Sequence, residues 1–179
     1  MTGVSESIKK HKAAAPKHLS FAVFVCSTSR YQETQKGEKK ADVSGDTIKA
    51  LLKNAGHKVL SRKIISDDKS MIQEAVHSVL SSAELDAAIF CGGTGIAPKD
   101  VTIETVAPFF EKTLPGFGEI FRRLSYDKMG SAAVMSRAVA GVAKGKVLFC
   151  IPGSPDAVRV SVETLILPET PHIVRHTRE

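Results

Sequence analysis

The chain has 179 residues, of which 42% are hydrophobic and 25% are charged. That size and balance indicate one globular domain and exclude disordered, collagen-like and membrane-spanning classes. The formal net charge is +6, but four lysines against one glutamate place half of that excess in residues 1–18. We therefore predict a flexible basic N-terminal arm over residues 1–18 and a folded domain over residues 19–179. Charge alone does not favour a nucleic-acid partner.

The three cysteines of the chain, Cys26, Cys91 and Cys150, include no Cys-x-x-Cys pair. Their odd number and their spacing match neither a disulfide framework nor a zinc site, and free cysteine is usually buried. We expect three buried reduced thiols, as in a cytoplasmic protein. The sequence lacks the apolar segment of a secretion signal and any run of about 18 apolar residues, so we expect no membrane contact.

Apolar runs and helical periodicities alternate along the first half of the chain. Residues 21–26 form a continuous apolar run that predicts a strand buried on both faces. Residues 27–42 lose this pattern and predict a long polar loop. A helix then ends at Gly56, a strand covers residues 58–65, a helix starts at a capping box of Ser70 with Gln73, and a strand covers residues 87–91. This order predicts a parallel sheet with helices on both faces, an α/β fold.

The second half of the chain has less regular patterning. Thr102 precedes an apolar-periodic stretch that Pro108 bends, and residues 114–118 break the helical pattern. Residues 131–142 are rich in small side chains and indicate a mixture of helix and turn, before a buried strand over residues 146–151. A last helix over residues 157–167 is so apolar that it must be central or covered by another subunit. We therefore expect a homo-oligomer.

Three predicted strands end near the cysteines and are each followed by polar or Gly/Pro-rich residues. If the strands are parallel, the three loops share the carboxyl edge of the sheet, where open α/β folds bind ligands. One of these loops, Gly92-Gly93-Thr94-Gly95, has little side-chain bulk, so its backbone amides can approach an anion. It is neither a dinucleotide fingerprint nor a Walker loop. The alternative is a tight strand-to-helix turn.

Charged residues are predicted at the same edge. Lys99 and Asp100 follow the glycines, and Asp67 and Asp68 follow an earlier strand. Two sources of carboxylate suit Mg²⁺, which proteins usually bind through one or two carboxylates together with substrate phosphates. These residues predict a nucleotide polyphosphate site. The alternative is that Asp100 caps a helix and the two earlier aspartates are surface residues at a turn.

The segment from Gly92 to Glu104 resembles the GGTG-x-x-x-(R/K)-D-x-T-x-E signature of the MoaB/MogA family of molybdenum cofactor biosynthesis proteins. Further motifs agree in order: DVSG at 42–45, DD at 67–68, LPGFGE at 114–119, SRA at 136–138 and PGSP at 152–155. The resemblance spans about residues 19–174. It implies a three-layer α/β/α molybdopterin-binding fold with a mostly parallel central sheet.

The resemblance also implies an activity. In active members of the family, the phosphate of molybdopterin attacks the α-phosphate of Mg-ATP and pyrophosphate leaves, which prepares the pterin for molybdate or tungstate insertion. For this chain it implies ATP and molybdopterin as substrates, Mg²⁺ as cofactor, a homotrimer or homohexamer, and a downstream metal-insertion protein as partner. A non-catalytic molybdopterin-binding protein of the same pathway is the alternative.

The family signature assigns roles to residues. It implies that Asp100, together with Asp67 or Asp68, is catalytic and holds Mg²⁺. The residues implied to contact phosphate or pterin are Ser27, Gly92, Gly93, Thr94, Gly95, Lys99, Ser136, Arg137, Pro152, Gly153 and Ser154. The chain departs from the family pattern at two places: Thr28 stands where many relatives have aspartate, and Lys99 replaces a commoner arginine and lacks its planar fork.

Overall fold

In the computed structural model, which describes residues 15–38 and 41–179, a single six-stranded sheet forms the centre of the chain. The strands, in the spatial order β2-β1-β3-β6-β5-β4, are β1 (Ser20–Cys26), β2 (Lys58–Ile65), β3 (Ala87–Cys91), β4 (Lys112–Thr113), β5 (Val139–Ala143) and β6 (Lys146–Ile151). Strands β2, β1, β3 and β6 run parallel, whereas β5 and β4 pair antiparallel. The predicted mostly parallel sheet is confirmed.

Helices cover both faces of the sheet. They are α1 (Thr28–Gln35), α2 (Val43–Asn54), α3 (Lys69–Ser81), α4 (Thr102–Val106), α5 (Pro115–Met129), α6 (Pro155–Arg159) and α7 (Leu167–Thr177). Short 3-10 turns follow α4 at Ala107–Phe109 and α5 at Gly130–Met135, and a π-helical segment, Val160–Ile166, joins α6 to α7. One core cluster packs α2 and the continuous helical segment from α6 to α7 on one sheet face, and a second packs α3 and α4 on the other. The predicted three-layer α/β/α architecture is confirmed.

The apolar runs of the sequence are the strands of the sheet centre. In β1, Phe21 and Val23 belong to one core cluster, whereas Ala22 and Phe24 belong to the other. Successive side chains of a strand point to opposite faces, so a strand covered on both sides must be apolar at every position.

The register of the parallel strands brings their carboxyl ends together. Cys91 of β3 pairs with Val25 of β1 on one side and with Ile151 of β6 on the other. The loops that follow β1, β3 and β6 therefore lie side by side at one edge of the sheet, as predicted. This edge carries the candidate site.

The long polar loop predicted over residues 27–42 is wrong in its first half. Helix α1 occupies Thr28–Gln35, and none of its residues is buried. An exposed helix needs no apolar stripe, so the hydrophobic period that would have revealed it is absent.

Two predicted helix boundaries are also wrong. Helix α3 is capped by Asp68, whose side chain accepts a hydrogen bond from the Met71 amide at 3.0 Å, rather than by a box starting at Ser70. Residues 114–118 do not break a helix, because α5 begins at Pro115, where the missing N–H of proline costs nothing. Gly118 lies inside α5. Glycine is required there because a Cβ would stand 2.5 Å from the Ala138 carbonyl oxygen.

Residues 1–14 of the predicted arm lie outside the described residues, and His18, at the arm's end, has its Nδ1 2.8 Å from the Gly56 carbonyl oxygen. Residues 131–142, predicted as helix and turn, hold a 3-10 turn and the start of strand β5.

The apolar segment predicted as the last helix, residues 157–167, is central, which is one of the two predicted arrangements. Its side chains Val158, Val162 and Ile166 are fully buried in the chain's own core. This helix therefore needs no second subunit to cover it.

Candidate anion-binding cleft

The loop after β3 has a backbone that requires glycine. Gly92 and Gly93 have φ angles of +105° and +61°, in the left-handed region that favours glycine. A Cβ at Gly92 would overlap the carbonyl oxygen of Cys26. The two strand ends are thus in direct backbone contact, and the loop turns sharply away from the sheet.

The hydrogen bonds of this loop leave its amides available and its carbonyls engaged. The Gly93 carbonyl accepts from the Thr102 amide at 3.0 Å, and the Thr94 carbonyl accepts from Arg137 Nε at 2.9 Å. Within the described chain, the amides of Gly93, Thr94 and Gly95 donate to no protein group. Successive unpaired amides in such a loop form a nest that binds anions. The geometry therefore favours the anion-binding interpretation over a mere tight turn.

Asp100 is fixed against this loop. Its Oδ2 accepts from the Ala97 amide at 2.9 Å, and its own amide donates to the Ala97 carbonyl at 2.8 Å. A Cβ at Gly95 would lie 2.6 Å from Asp100 Oδ2, so glycine is required for the carboxylate to approach. Helix α4 starts later, with Val101 at its cap position. Asp100 therefore does not cap that helix, and its carboxylate lines the cleft.

Asp67 is held by Thr28, the first residue of α1. Its Oδ2 accepts from the Thr28 amide at 2.8 Å and from the Thr28 hydroxyl at 3.0 Å. Its Oδ1 is buried and has no hydrogen-bond partner, and a Cβ at Gly93 would lie 2.7 Å from it. A buried carboxylate oxygen without a donor is unfavourable unless a ligand or cation compensates it. Asp67 lies against the glycine loop but does not line the cleft.

Thr28, the departure from the family pattern, is the residue that orients Asp67. Its hydroxyl donates to the carboxylate and also accepts from the Asp67 amide at 3.1 Å. An ionised aspartate at this position accepts hydrogen bonds and cannot donate one. Sequence reasoning had identified the substitution but not its contact.

Asp68 and Ser27 are predicted site residues that lie outside the cleft. Asp68 is exposed, and hydrogen bonds from the Ser70 hydroxyl and the Met71 amide lower the pKa of its carboxyl group. It caps α3, which accounts for an aspartate at that turn without a role in the cleft. Ser27 precedes α1, and its Oγ lies 3.3 Å from Ser29 Oγ.

Lys99 and Ser154 also fall outside the lining of the cleft. The Lys99 residue is exposed beside the loop. The Ser154 hydroxyl accepts from the Ala157 amide at 3.4 Å and caps α6. Ser154 instead lines a neighbouring cavity.

The cleft at the glycine loop has a volume of about 560 Å³ and contains most of the predicted ligand contacts. Its lining comprises Gly92, Gly93, Thr94, Gly95, Asp100, Met129, Ala132, Met135, Ser136, Arg137, Pro152 and Gly153. An adjoining cavity of about 510 Å³ shares Met129, Ser136 and Pro152 with it. The apolar wall from the end of α5 and the following turn was not predicted, because those side chains carry no chemical signature.

Arg137 connects the glycine loop to helix α4. Besides the bond from its Nε to Thr94, its Nη1 and Nη2 donate to the two carboxylate oxygens of Glu104 at 2.7 and 3.0 Å. This bidentate pair lowers the pKa of Glu104 and raises the pKa of Arg137. The arginine predicted to contact ligand is thus also a support for the loop. Glu104 stands in the quoted family signature, which was the available signal for this partner.

The three cysteines are buried and form no disulfide, as predicted. Burial raises the pKa of the Cys26 and Cys91 thiols to about 12. In the part of the chain that the structure describes, no group of three or more His, Cys, Asp or Glu side chains is placed to hold a metal ion. The same residues contain no helix with the length and apolar character needed to cross a bilayer.

Parallel strands with an amide-lined glycine loop at their carboxyl edge define the class: an α/β protein with a cleft at the edge of the sheet where such folds bind ligands. A family profile described as "Probable molybdopterin binding domain" matches residues 22–172. The chain belongs to this molybdopterin-binding family, on the MoaB branch of the molybdenum cofactor biosynthesis proteins.

Individual proteins agree with that assignment. Molybdenum cofactor biosynthesis protein B of Bacillus subtilis is 43% identical over 97% of this chain and 98% of its own length. Molybdopterin adenylyltransferase of Pyrococcus furiosus is 39% identical over 96% of this chain and 99% of its own. A crystal structure of a molybdenum cofactor biosynthesis protein B superposes with a TM-score of 0.83 at 43% identity, covering 92% of this chain and 98% of that one.

Proposed function

We propose that this protein is a molybdopterin adenylyltransferase that transfers the adenylyl group of ATP to the phosphate of molybdopterin and releases pyrophosphate. The observation that carries the proposal is the glycine loop, with three free amides beside the Asp100 carboxylate. The Pyrococcus furiosus relative that bears this enzyme name supports it.

The loop amides supply what phosphoryl chemistry needs from a protein. Negative charge develops on the phosphoryl oxygens during in-line displacement, and fixed donors stabilise it without reorganisation. Hydrogen bonds to charged groups contribute about 1.5–3 kcal/mol each. The bonds of the Gly93 carbonyl to the Thr102 amide and of the Thr94 carbonyl to Arg137 fix the two peptide units that carry the Thr94 and Gly95 amides, so these donors are preorganised.

The residues at the loop fit a Mg²⁺ ion by the chemistry of their donors. Two carboxylates from different elements, Asp67 and Asp100, lie against Gly93 and Gly95, and Asp67 Oδ1 has no protein donor. These two residues would hold the ion together with substrate phosphates. When bound, Mg²⁺ offsets the charge between two polyanions and favours their approach.

Two adjoining cavities support a reaction between two substrates. Each has a volume within the range of about 300–1,000 Å³ that is usual for small-molecule sites. Met129, Ser136 and Pro152 form their common wall, so ligands in the two cavities would meet beside the glycine loop.

The test is a direct assay with purified protein, molybdopterin, Mg²⁺ and ATP. We expect adenylylated pterin and pyrophosphate, and we expect Asp100→Asn to lower turnover by at least about a hundredfold with little change in pterin affinity. Asp127→Asn, the same substitution on the exposed surface of α5, is the matched control. Tight pterin binding by the parent protein with neither product would establish the alternative, a non-catalytic molybdopterin-binding protein.

We further propose that the protein acts as a homotrimer or homohexamer. Apolar side chains that are more than half exposed cluster along α5 and the turn after it: Ile120, Tyr126, Met129, Val134 and Met135. Burial against another copy would remove this surface from water. A monomer measured by light scattering at micromolar concentration would contradict the assembly.

Its cellular context is proposed on chemical grounds. Three reduced buried thiols suit a cytoplasmic location. The adenylylated product requires a downstream metal-insertion protein as its acceptor, which makes such a protein the expected partner.

A further inference from the structure

Two histidines lie one turn apart at the end of helix α7, away from the residues of the cleft. His172 and His176 are four residues apart, and their Nε2 atoms approach to 2.9 Å. On an α-helix, side chains at this spacing lie on the same face, and two histidines so placed can bind one metal ion. The two Nε2 atoms share a hydrogen bond at this distance, so both point to the position that one ion would occupy.

One of the two imidazoles is hydrogen-bonded to a carboxylate, and a second carboxylate lies beyond hydrogen-bond distance of the other. Glu179 Oε2 lies 2.9 Å from His176 Nδ1, and Glu169 Oε2 lies 3.8 Å from His172 Nδ1. At His176 the carboxylate at Nδ1 favours the tautomer in which Nε2 carries the lone pair, so His172 Nε2 carries the proton of the hydrogen bond between the two rings, and a bound ion would replace that proton. His176 thus has the carboxylate contact that metal-binding histidines usually have.

We propose that His172 and His176 bind one divalent transition-metal ion, of the Cu²⁺ or Ni²⁺ type, through their Nε2 atoms. With metal–nitrogen bonds of about 2.0–2.1 Å, two ligands at a right angle are separated by about 2.9 Å, and two tetrahedral ligands by about 3.4 Å. The 2.9 Å hydrogen bond between the rings is close to the first of these separations, so an ion with right-angled ligands, as in tetragonal Cu²⁺ and Ni²⁺ sites, would replace the shared proton with little movement of the rings.

The position of the pair separates it from the proposed reaction. His172 also lines a cavity of about 300 Å³ together with residues 15–17, Ala55 and His57, which precede strands β1 and β2. These residues lie at the amino edge of the sheet, opposite the glycine loop. A bound ion would link successive turns of α7 and stabilise the end of the chain, with no contact to the adenylylation site.

Calorimetric titration of the full chain with NiCl₂, after removal of any histidine tag, tests the proposal. We expect one ion per chain with micromolar affinity, at least tenfold weaker binding in His172→Gln and in His176→Gln, and about tenfold weaker binding in Glu179→Gln. The exposed His77 of α3 provides the matched control, and His77→Gln should bind as the parent does.

A second measurement identifies the ligands directly. Electron paramagnetic resonance of the protein with one equivalent of Cu²⁺ should show coupling to two imidazole nitrogens, reduced to one in either histidine variant. Circular dichroism verifies that the variants are folded. Absence of binding in the parent, or equal affinity in the parent and the double variant His172→Gln/His176→Gln, would overturn the site while leaving the proposed adenylylation untouched.

Discussion

Replacing Thr28 by valine removes one hydroxyl from the contact that orients Asp67 while retaining the shape of the side chain. The valine amide still donates to Asp67 Oδ2, but the hydroxyl bond to that oxygen and the bond from the Asp67 amide are lost. A hydrogen bond to a charged group contributes about 1.5–3 kcal/mol. Because Asp67 is half-buried, water replaces part of the loss, and we expect the free energy of unfolding to fall by about 2 kcal/mol.

Urea denaturation at pH 7 measures this change, and Thr28→Ser is the control because it keeps the hydroxyl. The valine variant should also turn over molybdopterin at least about tenfold more slowly, since a carboxylate free to rotate is no longer prealigned with the loop. If the valine and serine variants unfold at the same urea concentration and have the same turnover, the Thr28 hydroxyl does not hold Asp67.

Three further outcomes are expected. Arg137→Lys keeps the charge but loses the planar fork, so we expect a melting temperature lower by a few degrees in thermal unfolding and a lower turnover in the product assay. Both effects should exceed those of Arg123→Lys, the same substitution at an exposed position. Since Arg137 holds the pKa of Glu104 low, the pair stabilises the fold at neutral pH and loses that effect as the pH falls through the lowered pKa. The free energies of unfolding of Glu104→Gln and of the parent should therefore differ at neutral pH and converge in acid. The buried thiols, whose raised pKa values disfavour thiolate, should react with a disulfide reagent at least about a hundredfold more slowly in native than in urea-unfolded protein, and equal rates would contradict their burial.

The sheet could be predicted because its central strands have an unambiguous pattern. A strand covered on both faces is apolar throughout, as the run Ser20–Cys26 shows. Helix α1 could not be predicted in the same way, because it buries no residue and leaves no periodic pattern. The hydrophobic pattern thus reveals the elements that build the core and misses a helix such as α1, which buries none of its own residues.

The candidate site was predictable where backbone geometry demands a residue type. The glycines of the loop are required by positive φ angles or by close contacts, so their presence in the sequence predicted the loop. The sequence alone could not show whether Asp67 or Asp68 faces the site, because the two aspartates are neighbours in the chain. It depends on Thr28, which is 39 residues away from Asp67 in the chain and meets it only in the fold.

The engaged carbonyls of the glycine loop have a consequence for inhibitor design. The carbonyl oxygens of Gly93 and Thr94 accept hydrogen bonds from the protein, whereas their amides donate to no protein group within the described residues. A compound that fills this part of the cleft should therefore present acceptor atoms, such as sulfonate or carboxylate oxygens, opposite the loop. An amine or amide N–H placed there would face donors and lose its hydrogen bond to water without replacement.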